Sequence, residues 1–418
     1  MKRRSFISSA TGMALMPSIN VLGANRRLTV IAAGMGGRGM TIASGLEALP
    51  NVEVKAVYDV DSVRARYAAR VVGRVNGRKI GHGTDFRRGL EEKDVDVLAI
   101  TTSNHWHAPA AVLAASAGKH VYVEKPCSHN PHEGELLIAA ARRHDVRVQH
   151  GTQRRSRPGE VAAMRRLQEG AIGRITFAQC YHRANRPTIG LGKSVKVPNY
   201  LNYDLWQGPA PRRPYKDNLL HYNWHWHWHW GNGELGNNGI HRIDIARAVL
   251  GVDFPVHVTS SGGRFAFEDD QETPDTQTAT FRFPNGSVIG WEGLSCNPQH
   301  LHPGRADIIF YGDGGSAAFT GVGGWIYDEQ GKEVERFRGN GGQHEHLENF
   351  VAAIRGEAEL NAEIAEGHKS TLLCHLGNIA YRTGRSLNCD PSTGRILDDS
   401  GAARYWRRDY EPGWAPAV

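Results

Sequence analysis

Lys125 is the residue whose type and position most directly indicate chemistry. It stands in Glu124-Lys125-Pro126, directly after the apolar run His120–Val123, and an alanine-rich stretch separates that run from another, Val95–Ile100. The pattern predicts strand, helix, strand, which places Lys125 at the carboxyl end of a parallel strand, where such sheets bind ligands. A lysine there, in a chain that also carries a dinucleotide fingerprint, predicts chemistry beside a nicotinamide.

The fingerprint is G-M-G-G-R-G, from Gly34 to Gly39, and it follows a predicted strand and opens a predicted helix. Its glycines allow a tight turn and close approach of a pyrophosphate, and the helix N terminus supplies N–H donors. Asp59 stands twenty residues after Gly39, at the end of the predicted strand Val52–Tyr58. A carboxylate there binds a ribose 2′-hydroxyl and repels a 2′-phosphate, so we expect NAD in preference to NADP.

Polar residues also follow the strand Val95–Ile100. They should share the carboxyl edge of the sheet and face the ligand crevice. For His105 and His107, a plain helix-start position and a site role are equally open. The predicted cofactor-binding residues are Gly34, Gly36, Gly37, Arg38, Gly39, Asp59, Thr102, Ser103, Asn104, His107, Glu124 and Lys125.

The patterning predicts an α/β fold in two domains. Strands and helices alternate over residues 25–150, which indicates a Rossmann domain with a doubly wound parallel sheet. Over residues 151–418 longer alternating strands and turn signals such as Pro284-Asn285-Gly286 indicate an α+β domain. We expect it to contain a large, open, mostly antiparallel sheet, with helices such as Asn238–Leu250 and closing helices at its C-terminal end.

Residues 1–24 predict a twin-arginine signal peptide, with Arg3-Arg4 near the start and Leu22-Gly23-Ala24 as the cleavage candidate. We therefore expect the twin-arginine export machinery as a partner and a periplasmic or otherwise exported protein. The five cysteines are widely spaced and contain no C-x-x-C pair, which fits folding in a reducing cytoplasm before export.

The composition excludes other classes of partner. The net charge is +7, but lysine and arginine are scattered and no nucleic-acid-binding motif is visible, so we expect no nucleic-acid partner. No apolar stretch approaches the ~18 residues of a membrane-spanning helix.

These motifs together resemble the Gfo/Idh/MocA superfamily of glucose–fructose oxidoreductases, inositol 2-dehydrogenases and rhizopine-catabolism proteins. The resemblance covers about residues 27–390 and rests on the fingerprint, T-T-S-N-H-W-H-A-P, A-G-K-H-V-Y-V-E-K-P and G-N-N-G-I-H-R-I-D. It implies a sugar pocket on the sheet of the second domain, Lys125 beside the nicotinamide, His241 as general base with Asp244 at the same cleft, and a homo-oligomer. The family usually has aspartate where this chain has Asn237, which puts an ordinary alcohol dehydrogenase mechanism in question.

Oxidising a sugar hydroxyl requires a base for the O–H proton and an acceptor for the hydride, which NAD supplies. His241 titrates near neutrality and suits the proton. Lys125 can donate to the substrate oxygen, and its pKa should fall beside a cationic nicotinamide. A carboxylate at position 237 would make the histidine more basic, whereas an amide only hydrogen-bonds. The predicted catalytic residues are Lys125, His241 and Asn237.

Tryptophan and histidine alternate from Trp224 to Trp230. If the run is extended, its histidines share one face and its tryptophans the other. Three histidines suggest zinc, but no carboxylate or cysteine completes a ligand set, so we expect no metal. Instead we expect a sugar-binding wall, with core packing as the alternative. The predicted substrate-binding residues are Trp224, His225, Trp226, His227, Asn238 and His241.

An exported enzyme meets little free NAD, so the cofactor should be held tightly and regenerated within each cycle. The leading hypothesis is an NAD-dependent oxidoreductase that transfers a hydride between a sugar or glycoside hydroxyl carbon and the nicotinamide. Two alternatives stay open: a redox-neutral NAD-dependent glycoside hydrolase and a non-catalytic, cofactor-bearing sugar-binding protein.

Overall fold

The computed structural model describes residues 27–299 and 305–418. The predicted signal peptide, residues 1–24, lies outside the described residues. No helix of the described part is long and apolar enough to cross a membrane.

The first sheet has six parallel strands, which lie in the order 3-2-1-4-5-6 when they are numbered along the chain. Apolar runs form its central strands, which are buried because helices cover both faces. This confirms the predicted doubly wound sheet. The strands are β1 (Leu28–Ala33), β2 (Val52–Tyr58), β3 (Gly81–Gly83), β4 (Val97–Ile100), β5 (His120–Val123) and β6 (Val148–His150).

The second sheet has eleven strands among the described residues, and only the pair formed by its first and fourth strands in chain order is parallel. The mostly antiparallel sheet predicted for this region is therefore confirmed. The strands are β7 (Ile175–Asn185), β8 (His257–Gly263), β9 (Thr276–Arg282), β10 (Val288–Leu294), β11 (Cys296–Asn297), β12 (Ile308–Gly312), β13 (Gly315–Phe319), β14 (Gly323–Tyr327), β15 (Glu333–Arg338), β16 (Leu387–Cys389) and β17 (Ile396–Leu397).

Helices cover the first sheet and one face of the second, and two of them begin differently from the prediction. The alanine-rich helix begins at Asn104 rather than at Pro109. The helix predicted from Asn238 begins at Ile240, because a π-helical turn, Leu235–Gly239, precedes it. The helices are α1 (Gly37–Glu47), α2 (Ser62–Gly73), α3 (Arg87–Leu90), α4 (Asn104–Ser116), α5 (Pro131–Arg143), α6 (Pro158–Gln168), α7 (Tyr203–Gln207), α8 (Ile240–Leu250), α9 (Gln343–Ile354), α10 (Ile364–Thr383) and α11 (Ser400–Ala403).

Two helices from the later part of the chain, α9 and α10, pack against the first sheet and so join the two sheets. Leu347 and Phe350 of α9 are fully buried in the same apolar cluster as β1 and α1. Ile364, at the start of α10, joins the cluster on the other face of that sheet. These contacts hold the carboxyl edge of the first sheet against the second domain, and the candidate site lies between them.

Candidate active site

The turn after β1 is built from glycines that permit close packing. Gly34 has a φ of +89°, and a Cβ on it would lie 2.6 Å from the backbone of Thr101. A Cβ on Gly39 would lie 1.9 Å from the carbonyl oxygen of Gly34. Gly36 and Gly37, in contrast, border open space. The loop therefore presents bare backbone and the N terminus of α1 to the cavity, as binding of a pyrophosphate requires.

Asp59 follows β2 at the edge of the same cavity and is 7% exposed. Its two carboxylate oxygens accept hydrogen bonds from the backbone N–H groups of Met35, at 2.6 Å, and Asp61, at 2.9 Å. Burial raises the pKa of Asp59. The carboxylate thus ties the second strand to the glycine turn and retains lone pairs for ribose hydroxyl donors.

A cavity of about 830 Å³ runs from the glycine turn to α8 and the tryptophan-histidine run. It brings together most of the side chains predicted from sequence. Those lining it are Gly34, Gly36, Gly37, Arg38, Asp59, Thr102, Ser103, Asn104, His107, Glu124, Lys125, Trp224, His225, Asn237 and His241. The predicted residues that do not line it are Gly39, Trp226, His227 and Asn238.

Arg38 and Glu124 join the start of α1 to the end of β5. The guanidinium Nε donates to the buried carboxylate at 2.6 Å, while Nη2 of Arg38 is buried without a partner. Burial by itself would raise the pKa of Glu124, but the cations Arg38 and Lys125 hold it below its usual value. The pair places a fixed cation, with one unused donor, on the wall of the cavity.

Lys125 lies on the cavity wall and donates to the backbone oxygen of Asn237 at 2.6 Å and to its side-chain Oδ1 at 3.0 Å. An ammonium group has three N–H donors, so one remains for a ligand. Burial lowers the pKa of Lys125, and Arg38 and Arg242 lower it further, against the opposing effect of Glu124. The fall expected from a cationic nicotinamide stays a prediction, since the main cause in the protein by itself is burial.

Asn237 links this lysine to a carboxylate that the sequence analysis did not single out. Its Nδ2 lies 3.4 Å from Oε2 of Glu234, which also accepts from Nδ2 of Asn238 at 2.8 Å. The other oxygen of Glu234 faces His182 Nε2 at 3.1 Å and Arg186 Nε at 2.6 Å. An amide accepts from an ammonium and donates to a carboxylate at once, which an aspartate at position 237 could not do.

His241, on α8, lines the cavity, and its Nδ1 is buried without a hydrogen-bond partner. Burial, followed by the nearby cations Lys125 and Arg242, holds the pKa of His241 well below its ordinary value. The expectation that His241 titrates near neutrality is wrong in this structure, because an imidazolium would be desolvated among positive charges. The residue is a neutral imidazole at pH 7.

Asp244 does not reach the cleft at which the resemblance placed it. It is fully buried, and Arg155 binds its two oxygens at 2.8 and 2.9 Å, while Ser370 donates to it at 2.7 Å. Asp244 stands three residues after His241 on α8 and therefore on a similar side of the helix, but Arg155 and Ser370 occupy its carboxylate, and it does not line the cavity. Asp244 instead anchors α8 to the segment after β6 and to α10.

The tryptophan-histidine run is not extended, so its residues do not alternate between two faces. Asn223–Trp226 forms a 3₁₀ helix, in which the rings of Trp224 and His225 stack with centroids 3.6 Å apart. Trp226 is buried beneath the guanidinium of Arg186, and His227 lies beside Glu272. Within residues 27–299 and 305–418, no three His, Cys, Asp or Glu side chains are grouped to hold a metal ion.

Several cavity residues escaped the sequence analysis. His221 and Tyr222, which precede the tryptophan-histidine run, line the cavity, as do Gln153 and Trp206. His221 lies 3.1 Å from Asp61, which connects the run to the ribose end of the site. Glu234 could have been predicted as a site residue from the sequence. It stands three residues before Asn237 and therefore on the same side of a helical turn.

These features fit a dinucleotide. Open space above Gly36 and Gly37, the unused donor of Arg38 and the carboxylate of Asp59 are the groups that a pyrophosphate and a ribose need. Fold and site thus define a dinucleotide-binding oxidoreductase.

Comparison with known proteins identifies the family. Residues 27–152 match the model of an oxidoreductase family, NAD-binding Rossmann fold, and residues 189–415 match its C-terminal alpha/beta domain. The second match covers over half of the chain. The uncharacterized oxidoreductase YrbE of Bacillus subtilis is 30% identical over 288 residues, which are 68% of this chain and 71% of that protein. The chain belongs to the Gfo/Idh/MocA oxidoreductase family, and its cofactor is NAD.

Other relatives are more distant or match over shorter regions. Levoglucosan dehydrogenase of Pseudarthrobacter phenanthrenivorans is 26% identical over 287 residues, 64% of either chain. The glycosyl hydrolase family 109 protein of Saccharopolyspora erythraea is 30% identical over 161 residues, 37% of this chain and 34% of that protein. The chain thus spans between about a third and about two thirds of the length of these two relatives.

Solved structures share the fold. A levoglucosan dehydrogenase in complex with NADH and levoglucosan superposes with a TM-score of 0.68 at 21% identity, covering 87% of this chain and 99% of the other. An aldose-aldose oxidoreductase from Caulobacter crescentus gives a TM-score of 0.67 at 19% identity, covering 87% and 100%.

Proposed function

We propose that this protein is an NAD-dependent oxidoreductase that oxidises a hydroxyl-bearing carbon of a sugar or polyol. One observation carries the proposal: the remaining donor of Lys125 and the neutral imidazole of His241 belong to one cavity that continues to the glycine turn. The relatives described as levoglucosan and inositol 2-dehydrogenases support this choice of substrate class.

Bound NAD would accept the hydride from the substrate carbon. Lys125 donates a hydrogen bond to the substrate oxygen and stabilises the negative charge that grows on it. His241 would accept the hydroxyl proton as a neutral imidazole, and its lowered pKa makes it a weak base for this step. Asn237 keeps the ammonium of Lys125 in place, and Glu234 orients the amide of Asn237.

The test uses the purified protein without added cofactor. Absorbance in the reduced-nicotinamide band is recorded while sugars, polyols and aryl glycosides are added, first alone and then with NAD. We expect reduction with at least one sugar or polyol, and reduction that is about 10²-fold slower or more with the Lys125→Met variant. Absence of reduction with every compound and with NAD present would overturn the proposal.

Two further outcomes separate the alternative functions. Release of an aryl group without net reduction of nicotinamide would identify a redox-neutral glycosidase, a reaction class suggested by the similarity to the glycosyl hydrolase family 109 protein. Saturable sugar binding without any chemistry would identify a cofactor-bearing binding protein.

We also propose that the protein is exported and retains NAD. The support is the twin-arginine pattern at Arg3-Arg4 and the scarcity of NAD outside the cytoplasm. Fractionation of the native host should place the mature protein outside the cytoplasm, and the purified protein should carry nicotinamide; a purely cytoplasmic protein would contradict export. The homo-oligomer expected from the resemblance remains a prediction.

A further inference from the structure

A second cavity, of about 970 Å³, lies on the other side of the wall formed by Asn104 and Asn232. Asn104 lines the cofactor cavity, Asn232 lines the second one, and their side chains are hydrogen-bonded at 3.0 Å. The proposed function makes no use of this cavity.

The second cavity is strongly cationic. Six arginines line it against two carboxylates, Glu272 and Asp409. Three of the arginines have acidic partners in or behind the wall. The other three, Arg382, Arg404 and Arg407, take part in no ion pair found among residues 27–299 and 305–418.

Arg382 is held in position without an acidic partner. Its guanidinium lies 4.9 Å from the ring centroid of Trp228 and 4.2 Å from that of Tyr405. The two cation–π contacts hold the planar group, and no hydrogen-bond acceptor for its N–H groups is found among the described residues. Arginine edges of this kind bind carboxylate, sulfate and phosphate groups in two-point geometry.

Two buried donors in the cavity wall have no acceptor. Asn130 is 5% exposed, and its Nδ2 has no partner, although its Oδ1 accepts from the N–H of Glu133 at the start of α5. Arg408 donates through Nε to Glu133 at 2.7 Å, while its Nη1 is buried without a partner. Leaving such groups unpaired is costly, so both indicate an acceptor that the protein by itself does not supply.

Two histidines in the same wall have lowered pKa values. Burial and then Arg408 hold the pKa of His129 well below its ordinary value, and burial lowers the pKa of His229 to about 4. Neutral imidazoles donate and accept hydrogen bonds without adding charge. The single N–H of each ring is donated to a backbone oxygen, from His129 to Trp228 at 3.0 Å and from His229 to Pro211 at 2.8 Å, so the donors for an anion are those of the arginines and Asn130.

We propose that this cavity is a binding site for a small oxyanion, a carboxylate, sulfate or phosphate group, held by Arg382, Arg404, Arg407 and Asn130. The group comes either from a free inorganic anion or from an acidic sugar, since the two share the chemistry that the arginines recognise. The proposal is independent of the reaction in the first cavity.

Isothermal titration calorimetry on the full protein tests it, with saturating NAD to block the pyrophosphate site. The probes are sulfate, phosphate and glucuronate, with glucose as the neutral control. We expect saturable binding of at least one anion and none of glucose. The double variant Arg404→Gln/Arg407→Gln, which changes two exposed side chains, should weaken anion binding about tenfold or more, because each charge-assisted hydrogen bond contributes measurably.

The matched control is Arg165→Gln/Arg174→Gln, which removes two exposed arginines outside the cavity. It should leave the affinity unchanged within about twofold. Preference for glucuronate would identify a sugar acid as the ligand, and preference for sulfate or phosphate a free anion; either supports the site. No saturable binding, or an equal loss in both double variants, would overturn it. Should the cavity variant fail to fold by circular dichroism, Arg407→Gln alone decides the question.

Discussion

The ammonium group of Lys125 is bound by Asn237 twice, at 2.6 Å through the backbone oxygen and at 3.0 Å through the side-chain oxygen. The amide nitrogen of Asn237 then faces Glu234 at 3.4 Å. The negative charge expected at position 237 is thus present three residues earlier, and the amide connects it to the lysine. This arrangement explains how Asn237 fits beside Lys125.

Asn237→Asp should raise the pKa of Lys125, because it places a carboxylate beside the ammonium. The lysine is charged below this pKa. The part of the pH profile of kcat that reflects its titration should therefore move to higher pH, by about one unit or more. The new carboxylate also faces Glu234 and should lower stability.

Asn238→Asp is the control for that change. It adds the same charge one residue away, where the side chain bonds Glu234 but not Lys125. The pH profile of kcat should shift less in Asn238→Asp than in Asn237→Asp. Equal movement in the two variants would mean that Asn237 has no special relationship to the lysine.

Lys125→Met should lower kcat by about 10²-fold or more, since a donor aimed at developing negative charge typically contributes that much. The Kd for NAD, measured by fluorescence quenching, should change only a few-fold. Lys196→Met, at an exposed position away from the cavity, should retain full activity. An active Lys125→Met enzyme would exclude the assigned role.

Asp59→Asn should reduce the preference for NAD over NADP. The amide keeps one acceptor for the backbone but removes the charge that repels a 2′-phosphate. We expect the ratio of the two Kd values to fall about tenfold, measured by titrating each cofactor. Asp204→Asn, at an exposed position, is the control, and an unchanged ratio for Asp59→Asn would show that selectivity arises elsewhere.

The protein should lose stability steadily as the pH falls from about 6.5 towards 4. Burial lowers the pKa of seven histidines to between about 3 and about 4: His120, His150, His225, His229, His346, His368 and His375. Because a histidine in the unfolded chain has a pKa near 6.5, the unfolded state binds more protons in this interval. The stability is fully present above that interval.

Thermal unfolding between pH 7.5 and pH 4.5 measures this dependence. His368→Gln should make the dependence of the unfolding free energy on pH less steep, because it removes one of the groups that take up a proton on unfolding. His82→Gln, at an exposed position, should leave the steepness unchanged. A Tm that is constant over the interval would contradict the prediction.

Asp244→Asn should lower the free energy of unfolding by about 3–5 kcal/mol, because it breaks a buried ion pair and leaves Arg155 uncompensated. Asp253→Asn is the matched control, since that carboxylate is 59% exposed in its pairs with Arg247 and Lys369 and should cost no more than about 1 kcal/mol. Urea denaturation measures both. Where Asp244→Asn remains folded, its kcat should be close to that of the wild type. A large loss of kcat at unchanged stability would show that Asp244 acts in the active site.

The cofactor half of the site was predictable from sequence because local rules govern it. The glycine turn after β1, Asp59 after β2 and Lys125 after β5 follow from strand ends in a parallel sheet, where the carboxyl ends share one edge. The same periodicity predicted the two sheets. The strands Val52–Tyr58 and His120–Val123 were predicted with the bounds that the structure has, because their apolar runs stand out from the flanking residues.

Only the tertiary structure decided the second half of the site. The lowered pKa of His241 depends on Arg242 beside it and on Arg38, Lys125 and Arg154, which are distant in sequence, and on burial that no single segment provides. The tryptophan-histidine run begins in the 3₁₀ helix Asn223–Trp226, and its Trp224 and Trp230 pack into an apolar cluster with other segments, which overrides the alternation of its sequence. Sequence periodicity specifies local faces, whereas charge environment and cavity shape arise from contacts between segments that are far apart in the chain.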